Sequence, residues 1–94
     1  MNNWLICYDI EDDRERARVF KCLKKYGHPV QKSVFEVSFP DSRRKLQDEM
    51  IERLREIVGE DANIRFYRLT RKGLRASWAL NGDVMVERPG AIIL

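Results

Sequence analysis

The first clearly patterned stretch of the chain is an apolar run from Trp4 to Ile10, which only Asp9 interrupts. A short run of aromatic and aliphatic residues predicts a buried strand, here over residues 3–10. Asp9 therefore falls near the carboxyl end of a strand whose other side chains are apolar. Burying a carboxylate without a partner costs several kcal/mol, so we expect Asp9 to be hydrogen-bonded, paired or bound to a metal ion.

A helix is predicted next, from Asp12 or Asp13 to Tyr26, because acids favour the amino end of a helix and Gly27 is a typical residue to end one. Arg16 lies on the same side as the apolar stripe and one turn before it, so its guanidinium is expected near the end of the first strand. The stripe consists of Val19, Phe20, Leu23 and Tyr26. A second series is expected to face water: Arg14, Arg18, Lys21 and Lys25.

Residues 28–39 alternate between apolar and polar side chains, which predicts extended structure. The apolar phase changes between Val30 and Val34, so we expect two short strands joined by a tight turn near Lys32-Ser33. Pro40-Asp41-Ser42 ends the second strand and is predicted to cap a second helix. That helix carries an apolar stripe and closes at Gly59; the stripe is Leu46, Met50, Leu54, Ile57 and Val58.

The last third of the chain begins with a predicted strand from Ala62 to Leu69. Residues 70–81 are basic and irregular, with a helical turn expected around Leu74. A turn at 81–83, a short strand at 84–86, a break at Pro89-Gly90 and an apolar end at 91–94 complete the pattern.

The order strand, helix, two strands, helix, strand predicts an α+β fold: a ferredoxin-like βαββαβ sandwich with an extra short C-terminal strand. Residues 1–94 form one domain, with a core of about 1–70 and a C-terminal part, about 71–94, that contributes to dimer or partner contacts. Both helices would lie on one face of the sheet. Tyr8, Val34, Trp78 and the apolar tail are the candidates to cover the other face, most economically against a second copy of the chain.

Composition narrows the class of protein without identifying a function. The 94 residues are 44% hydrophobic and 35% charged, which suits one globular domain. With 18 Lys and Arg against 15 Asp and Glu, the net charge of +3 is compatible with nucleic acid. Cys7 and Cys22 lack metal-site spacing and are expected to be core residues in a reducing cytoplasm. A secretory signal and a bilayer-length apolar run are both absent from the sequence, so no membrane association is expected.

Two roles are open for Asp9. It could accept hydrogen bonds from the first turn of the following helix. Alternatively, it could bind Mg²⁺, which takes oxygen ligands and often only one or two carboxylates. One Asp per chain is few for a metal site, but a two-fold axis near the first strand would bring two copies of Asp9 together.

The basic residues also allow two interpretations. Arg16 could form an ion pair with Asp9, Glu11 or Asp12, or it could steady a phosphate. Basic residues at the ends of elements suggest a phosphate-contacting surface with little sequence preference: Arg43, Arg44, Arg68, Arg71, Lys72 and Arg75. His28 is expected to be a loop residue rather than a general base.

An RNA-binding sheet that stacks bases on aromatic side chains is a further possibility. Phe66 and Tyr67 in the predicted strand at 62–69 supply aromatics, although the Gly-aromatic core of such motifs is missing. A P-loop, a Gly-rich fingerprint and a Ser-His-Asp set are also missing from the sequence.

Three segments, in this order, resemble the small CRISPR-associated adaptation proteins described as metal-dependent endoribonucleases. The first is Tyr8-Asp9-Ile10 with the following acids and the alternating Arg14, Arg16 and Arg18. The second runs from Tyr26 to Glu36 and contains the V-Q-x-S-V-F-E motif, and the third is residues 64–69. The closing residues 89–94 are also similar, so the resemblance covers nearly the whole chain.

This resemblance implies a ferredoxin-like homodimer in which Asp9 of each subunit holds one shared Mg²⁺ across the two-fold axis. It also implies a complex with the CRISPR integrase that captures short foreign DNA. Tyr8, Arg16, Arg18 and Phe35 fall on family positions linked to activity or site architecture. Some relatives have an Arg shortly before the V-Q pair, where this chain has His28 and Pro29.

The resemblance leaves two mechanisms to consider. In the first, a metal-bound water attacks a phosphodiester of RNA or duplex DNA, with Arg16 or Arg18 balancing charge on the phosphate. The predicted nucleic-acid contacts are Arg14, Arg16, Arg18, Arg43, Arg44, Arg71 and Lys72. In the second, the protein is a non-catalytic bridge whose basic rim holds the duplex and whose tail docks the integrase.

Overall fold

The computed structural model describes residues 1–59 and 61–83 of the chain. The helices and strands in this part are β1 Asn2–Asp9, α1 Asp13–Leu23, β2 Gly27–Gln31, β3 Val34–Phe39, α2 Arg44–Val58, β4 Asn63–Leu69 and α3 Arg71–Ala76. A single 3-10 turn, Asp41–Arg43, joins β3 to α2. The strand predicted at 84–86 and the apolar tail lie outside the described residues.

The four strands form one antiparallel sheet in the order β2-β3-β1-β4, so β1 is flanked on both sides. Helices α1 and α2 pack against each other, and α2 also contacts β3. This arrangement confirms the predicted α+β, ferredoxin-like fold. Among the described residues, no helix is long and apolar enough to cross a membrane.

The core lies between the sheet and the two long helices. Because side chains alternate along a strand, Ile6 and Tyr8 of β1 face the helices, and both are buried. The intervening residues, Cys7 and Asp9, belong to the opposite face, which we call the open face. Tyr8 was expected to help cover the open face; that prediction is wrong, because Tyr8 shares its side of the strand with Ile6 and packs in the core. Helix α1 contributes Val19, Cys22 and Leu23 to the core, β3 contributes Phe35, Val37 and Phe39, and α2 contributes Met50 and Leu54.

Helix α1 ends at Leu23, three residues before the predicted Tyr26, and Gly27 is the first residue of β2 rather than a helix cap. A Cβ atom on Gly27 would lie 2.4 Å from the carbonyl oxygen of Glu36 and 2.6 Å from Cγ2 of Val37. The glycine is therefore required for the close approach of β2 to β3, and the helix must stop early enough to reach it.

The predicted turn at Lys32-Ser33 is confirmed between β2 and β3. Ser33 has a positive φ of 64°, a conformation uncommon for residues other than glycine. The backbone N–H of Tyr8 donates to the carbonyl oxygen of Ser33 at 3.0 Å. This bond extends the β1–β3 pairing by one residue beyond the last regular pair, Cys7 and Val34, and it anchors the turn to the end of β1.

Helix α2 has the predicted apolar face and ends at Gly59, whose φ is 73°. The predicted cap is wrong, because no side chain caps the 3-10 turn or α2. Asp41 instead pairs with the N-terminal amino group of Met1 at 2.8 Å, and this partner lowers the pKa of the Asp41 carboxyl below its usual value. The helical turn expected around Leu74 is present as α3, which Thr70 caps by accepting a hydrogen bond from the N–H of Gly73.

Candidate metal and nucleic-acid site

Asp9 is the last residue of β1, opposite Asn63 of β4, and its side chain is exposed. The Asp9 carboxylate forms no hydrogen bond or ion pair with any residue in the described part of the chain. Helix α1 is capped instead by Asp12, whose Oδ1 accepts from the N–H of Glu15 at 2.9 Å. The capping role that the sequence left open for Asp9 therefore belongs to Asp12.

Because the Asp9 carboxylate is exposed to water, it carries no desolvation cost and does not need a partner within the chain. Within residues 1–59 and 61–83, no three His, Cys, Asp or Glu side chains are grouped to hold a metal ion. One copy thus offers the single carboxylate of Asp9. Carboxylate oxygens suit Mg²⁺, which binds through one or two carboxylates and otherwise keeps water or phosphate oxygens, and a second copy of the chain would add a second Asp9.

Arg16 braces the loop between β1 and α1. Its Nη1 donates to the carbonyl oxygens of Ile10 at 3.0 Å and Glu11 at 3.3 Å, and its Nη2 pairs with Asp13. The guanidinium does lie near the end of β1, as predicted, but its acidic partner is Asp13, so the predicted choices of Asp9, Glu11 or Asp12 are wrong. Arg16 therefore holds in place the loop that begins one residue after Asp9.

Tyr8 and Phe35 form an aromatic support beneath this end of the sheet. Their ring centroids are 6.3 Å apart, and Phe20 packs on Phe35 at 5.4 Å in an edge-to-face arrangement. Phe35 is completely buried, so any effect on activity must act through packing. Burial raises the pKa of Tyr8 above its usual value, with a smaller opposing effect from Ser33 and Arg16. The catalytic roles of Tyr8 and Phe35 stay predictions.

The predicted phosphate contacts divide into two groups at opposite ends of β1. Helix α1 begins four residues after Asp9, and it carries Arg14 and Arg18, which are exposed. Helices α2 and α3 follow Phe39 and Leu69, which pair with Asn2 and Asn3 at the other end of β1. We call the exposed cations there the distal basic surface: Arg43, Arg44, Arg71 and Lys72. The length of β1 places this surface on the order of 20 Å from Asp9.

Arg68, also predicted to contact phosphate, is engaged within the chain. Its guanidinium lies 5.5 Å from the centre of the Trp4 ring, and its Nη2 donates to Oδ1 of Asn2 at 2.6 Å. A cation held on an aromatic face gains from that contact and is less available to a ligand. Arg68 therefore contributes to the packing at the start of β1.

The sequence predicts a turn at Lys32-Ser33 but does not indicate that this turn lies beside the end of β1. The β1–β3 register pairs Cys7 with Val34, and the bond from Tyr8 to Ser33 continues it by one residue. Lys32 itself belongs to the turn that leads from β2, which pairs with β3 on the side away from β1. The side chain of Lys32 is exposed and has no ion-pair partner among the residues described. Local sequence contains no signal for the contact between this turn and β1, because it arises from the pairing of β1 with β3, which α1 and β2 separate in sequence.

A family model described as CRISPR associated protein Cas2 matches residues 1–76. The chain belongs to the Cas2 family. Over its whole length it is 31% identical to the "CRISPR-associated endoribonuclease Cas2 2" of Synechocystis, and the alignment also covers all of that relative. A 37-residue segment, 39% of this chain, is 62% identical to the "CRISPR-associated endoribonuclease Cas2 4" of Rhodospirillum rubrum and spans 30% of that protein.

Among solved structures, a chain from a "Partial Cas6-RT-Cas1--Cas2 complex" is similar over the full length of both chains, with 41% identity and a TM-score of 0.69. These findings confirm the family resemblance drawn from the three sequence segments. They also agree with the ferredoxin-like fold.

Strand β4 contains two neighbouring aromatic residues whose side chains lie on opposite faces of the sheet. Phe66 lies opposite Ile6 and lines a hollow of about 320 Å³ on the helix side, together with Ile51 and Leu54. Tyr67, the next residue, belongs to the open face, where its hydroxyl oxygen accepts a hydrogen bond from Arg65 at 3.3 Å. Base stacking on a sheet needs aromatics on one face. The structure therefore weakens the RNA-stacking alternative, for which these two residues supply the aromatics.

Proposed function

We propose that this chain forms a homodimeric, Mg²⁺-dependent endonuclease that cleaves phosphodiester bonds in RNA or duplex DNA and acts with the CRISPR integrase in spacer acquisition. The observation that carries the proposal is the exposed Asp9 carboxylate at the end of the central strand, without a partner among the described residues. A carboxylate in that position is available to a cation, and a second copy of the chain would supply the second of the one or two carboxylates through which Mg²⁺ commonly binds.

Each nearby residue has a distinct task in this proposal. Arg16 fixes the loop after Asp9, so the carboxylate is presented from a rigid strand end. Tyr8 and Phe35 support that strand end from the core. Arg14 and Arg18, which are exposed on α1, contact substrate phosphates. When bound between two copies of Asp9, Mg²⁺ would supply an activated water and positive charge opposite the phosphate.

The names of two relatives support a nuclease function for this chain. The two family members from Synechocystis and Rhodospirillum rubrum are both called CRISPR-associated endoribonucleases. The match to the Synechocystis protein includes the whole of both chains, so the Asp9 region lies inside it.

Metal dependence is the direct test of this function. We expect the purified protein to cleave RNA or duplex DNA when Mg²⁺ is added, and to lose that activity on chelation with EDTA. Activity should return when excess Mg²⁺ is restored, because the exposed site exchanges its ion readily. Product formation on gels, measured against Mg²⁺ concentration, gives the result. Cleavage that persists unchanged in EDTA would contradict the proposed metal site.

A cross-linking experiment tests whether two copies of Asp9 meet. In a Cys7→Ser background, Asp9→Cys should be joined efficiently across the dimer by a short bis-maleimide, since the remaining Cys22 is buried in the core. Asp48→Cys, an exposed position on α2, is the matched control and should cross-link poorly. Sedimentation of the unmodified protein gives its oligomeric state. A stable dimer in which position 9 reacts no better than position 48 would place the two-fold axis elsewhere.

A second candidate function is a non-catalytic bridge between integrase subunits. It is favoured by the full-length similarity to a chain from a Cas6-RT-Cas1--Cas2 complex. The distal basic surface also suits this role, since its distance from Asp9 lets it hold a duplex without cleaving it. Absence of Mg²⁺-dependent cleavage, together with retained DNA binding and integrase association, would favour the bridge over the nuclease.

A further inference from the structure

Asn63, the first residue of β4, lies directly opposite Asp9 in the pairing of β1 with β4. Residues directly opposite each other on antiparallel strands belong to the same face of the sheet and have Cβ atoms about 5 Å apart. The side chains of Asn63 and Asp9 are both exposed. At this end of the open face, the pairing therefore brings together two oxygen-bearing side chains, one charged and one neutral.

Neither of these side chains is engaged within residues 1–59 and 61–83. An amide can donate to a carboxylate, but no hydrogen bond joins Asn63 to Asp9, and the Asn63 amide bonds no other described residue. The next pair on this face is Cys7 with Arg65, whose Nη1 donates to the Tyr67 hydroxyl at 3.3 Å and which forms no ion pair with Asp9. Because Tyr67 lies farther along β4 from Asp9, this bond holds the guanidinium away from the carboxylate. The oxygens of Asp9 and Asn63 are thus open to a cation.

We propose that the amide oxygen of Asn63 is a second ligand, beside the Asp9 carboxylate, for the divalent cation of this site. This inference rests on the proposed function and deepens it, since it adds a ligand that the sequence did not indicate. Mg²⁺ and Mn²⁺ prefer oxygen ligands, and an amide oxygen is a neutral ligand of that kind. Two copies of Asp9 and of Asn63 would fill about four of the six octahedral positions and leave the others to water or phosphate oxygens.

Binding of Mn²⁺ to the whole protein, measured from the EPR signal of the free ion, tests this ligand. We expect Asn63→Ala to raise the Kd for Mn²⁺ by about 10-fold, the lower end of the effect of losing a group that supports a metal site. Asn2→Ala, a change of the first residue of β1, is the matched control and should bind Mn²⁺ as the wild type does. Thermal unfolding of each variant in EDTA checks that it is folded.

Two further measurements separate a direct ligand from a residue that acts through Asp9. Asn63→Asp keeps an oxygen in place, so it should bind Mn²⁺ at least as tightly as the wild type, whereas Asn2→Asp, which adds the same charge on the order of 20 Å away, should not change the Kd. In Asn63→Ala saturated with Mn²⁺, water should replace each lost amide oxygen, so the electron spin-echo modulation from bound deuterated water should increase. An equally hydrated ion in Asn63→Ala would overturn the assignment.

The outcomes keep this inference apart from the proposed function. Weaker Mn²⁺ binding by Asp9→Asn with wild-type binding by Asn63→Ala overturns the role of Asn63 and leaves the Asp9 site intact. No Mn²⁺ binding by the wild type, or unchanged binding by Asp9→Asn, overturns both. If Mn²⁺ binding depends on Asp9 and Asn63 but neither RNA nor duplex DNA is cleaved, the ligand assignment stands and the nuclease fails.

Discussion

Replacing Asp9 with Asn is expected to lower Mg²⁺-dependent cleavage by at least about 100-fold, the size of effect seen when a charge-stabilising group is removed from an active site. Asn has the shape of Asp but lacks the negative charge, so the proposed shared site would lose both of its anionic ligands. Gel-based cleavage rates for RNA and for duplex DNA, measured at saturating Mg²⁺, give the result.

The same change should leave the fold intact, because Asp9 is exposed and its side chain has no partner in the described residues. We expect the free energy of unfolding to change by no more than about 0.5 kcal/mol. In the proposed dimer without its metal ion, the change would also remove the repulsion between two like charges at the axis. Asp48→Asn, which removes an exposed acid from α2, is the matched control and should cleave normally.

Three results of this experiment have different meanings. Full Mg²⁺-dependent cleavage by Asp9→Asn would show that the metal site lies elsewhere. No cleavage by either protein, with nucleic-acid and integrase binding retained, would support the bridge. RNA binding that disappears in Phe66→Ala or Tyr67→Ala would support base stacking, although those rings lie on opposite faces of β4.

Gly27→Ala is expected to destabilise the protein by about 3 kcal/mol, at the upper end of the range for inserting a methyl group into a packed region. The added Cβ would meet the Glu36 carbonyl oxygen at 2.4 Å and the Val37 Cα at 3.0 Å. These are backbone atoms of β3, so the clash cannot be relieved by rotating a side chain. Strand β2 must move away from β3, which weakens the sheet at its edge.

Urea unfolding measures this effect as a lower midpoint at an unchanged m-value. Gly59→Ala is the informative comparison, because its φ is 73° but nothing lies within 4 Å of the added atom. Its cost should be limited to the backbone conformation, which at a φ of 73° and a ψ of −170° is almost exclusive to glycine and costs about 1–3 kcal/mol. A loss of less than about 0.5 kcal/mol for Gly27→Ala would mean that the close approach at Gly27 does not constrain the strands.

Much of the architecture was predictable from the sequence because it depends on local periods. The apolar stripe of α2, the turn at Lys32-Ser33 and the positions of all four strands followed from spacing and from breakers such as Pro40. The three segments that resemble known adaptation proteins correctly indicated the Cas2 family.

The predictions that were wrong concern residues whose role depends on contacts with a distant segment of the chain. Gly27 looked like a helix cap, but its role is to let β3 approach, which only strand pairing reveals. Asp41 looked like a helix cap, but it pairs with Met1 because β1 and β3 are adjacent. Tyr8 was placed on the wrong face because an almost wholly apolar strand does not indicate which alternate side chains face the helices.

By itself, the sequence determined the order of the elements, their approximate bounds and the family. It also indicated Asp9 as the residue of chemical interest, because an acid stands out in an apolar strand. Only the tertiary structure decided that Asp9 is exposed, that Arg16 is committed to the loop, and that the turn at Lys32-Ser33 is bonded to the end of β1. The physical reason is that periodicity along a strand or helix is a local property of the chain, whereas register and strand adjacency depend on contacts between segments distant in sequence.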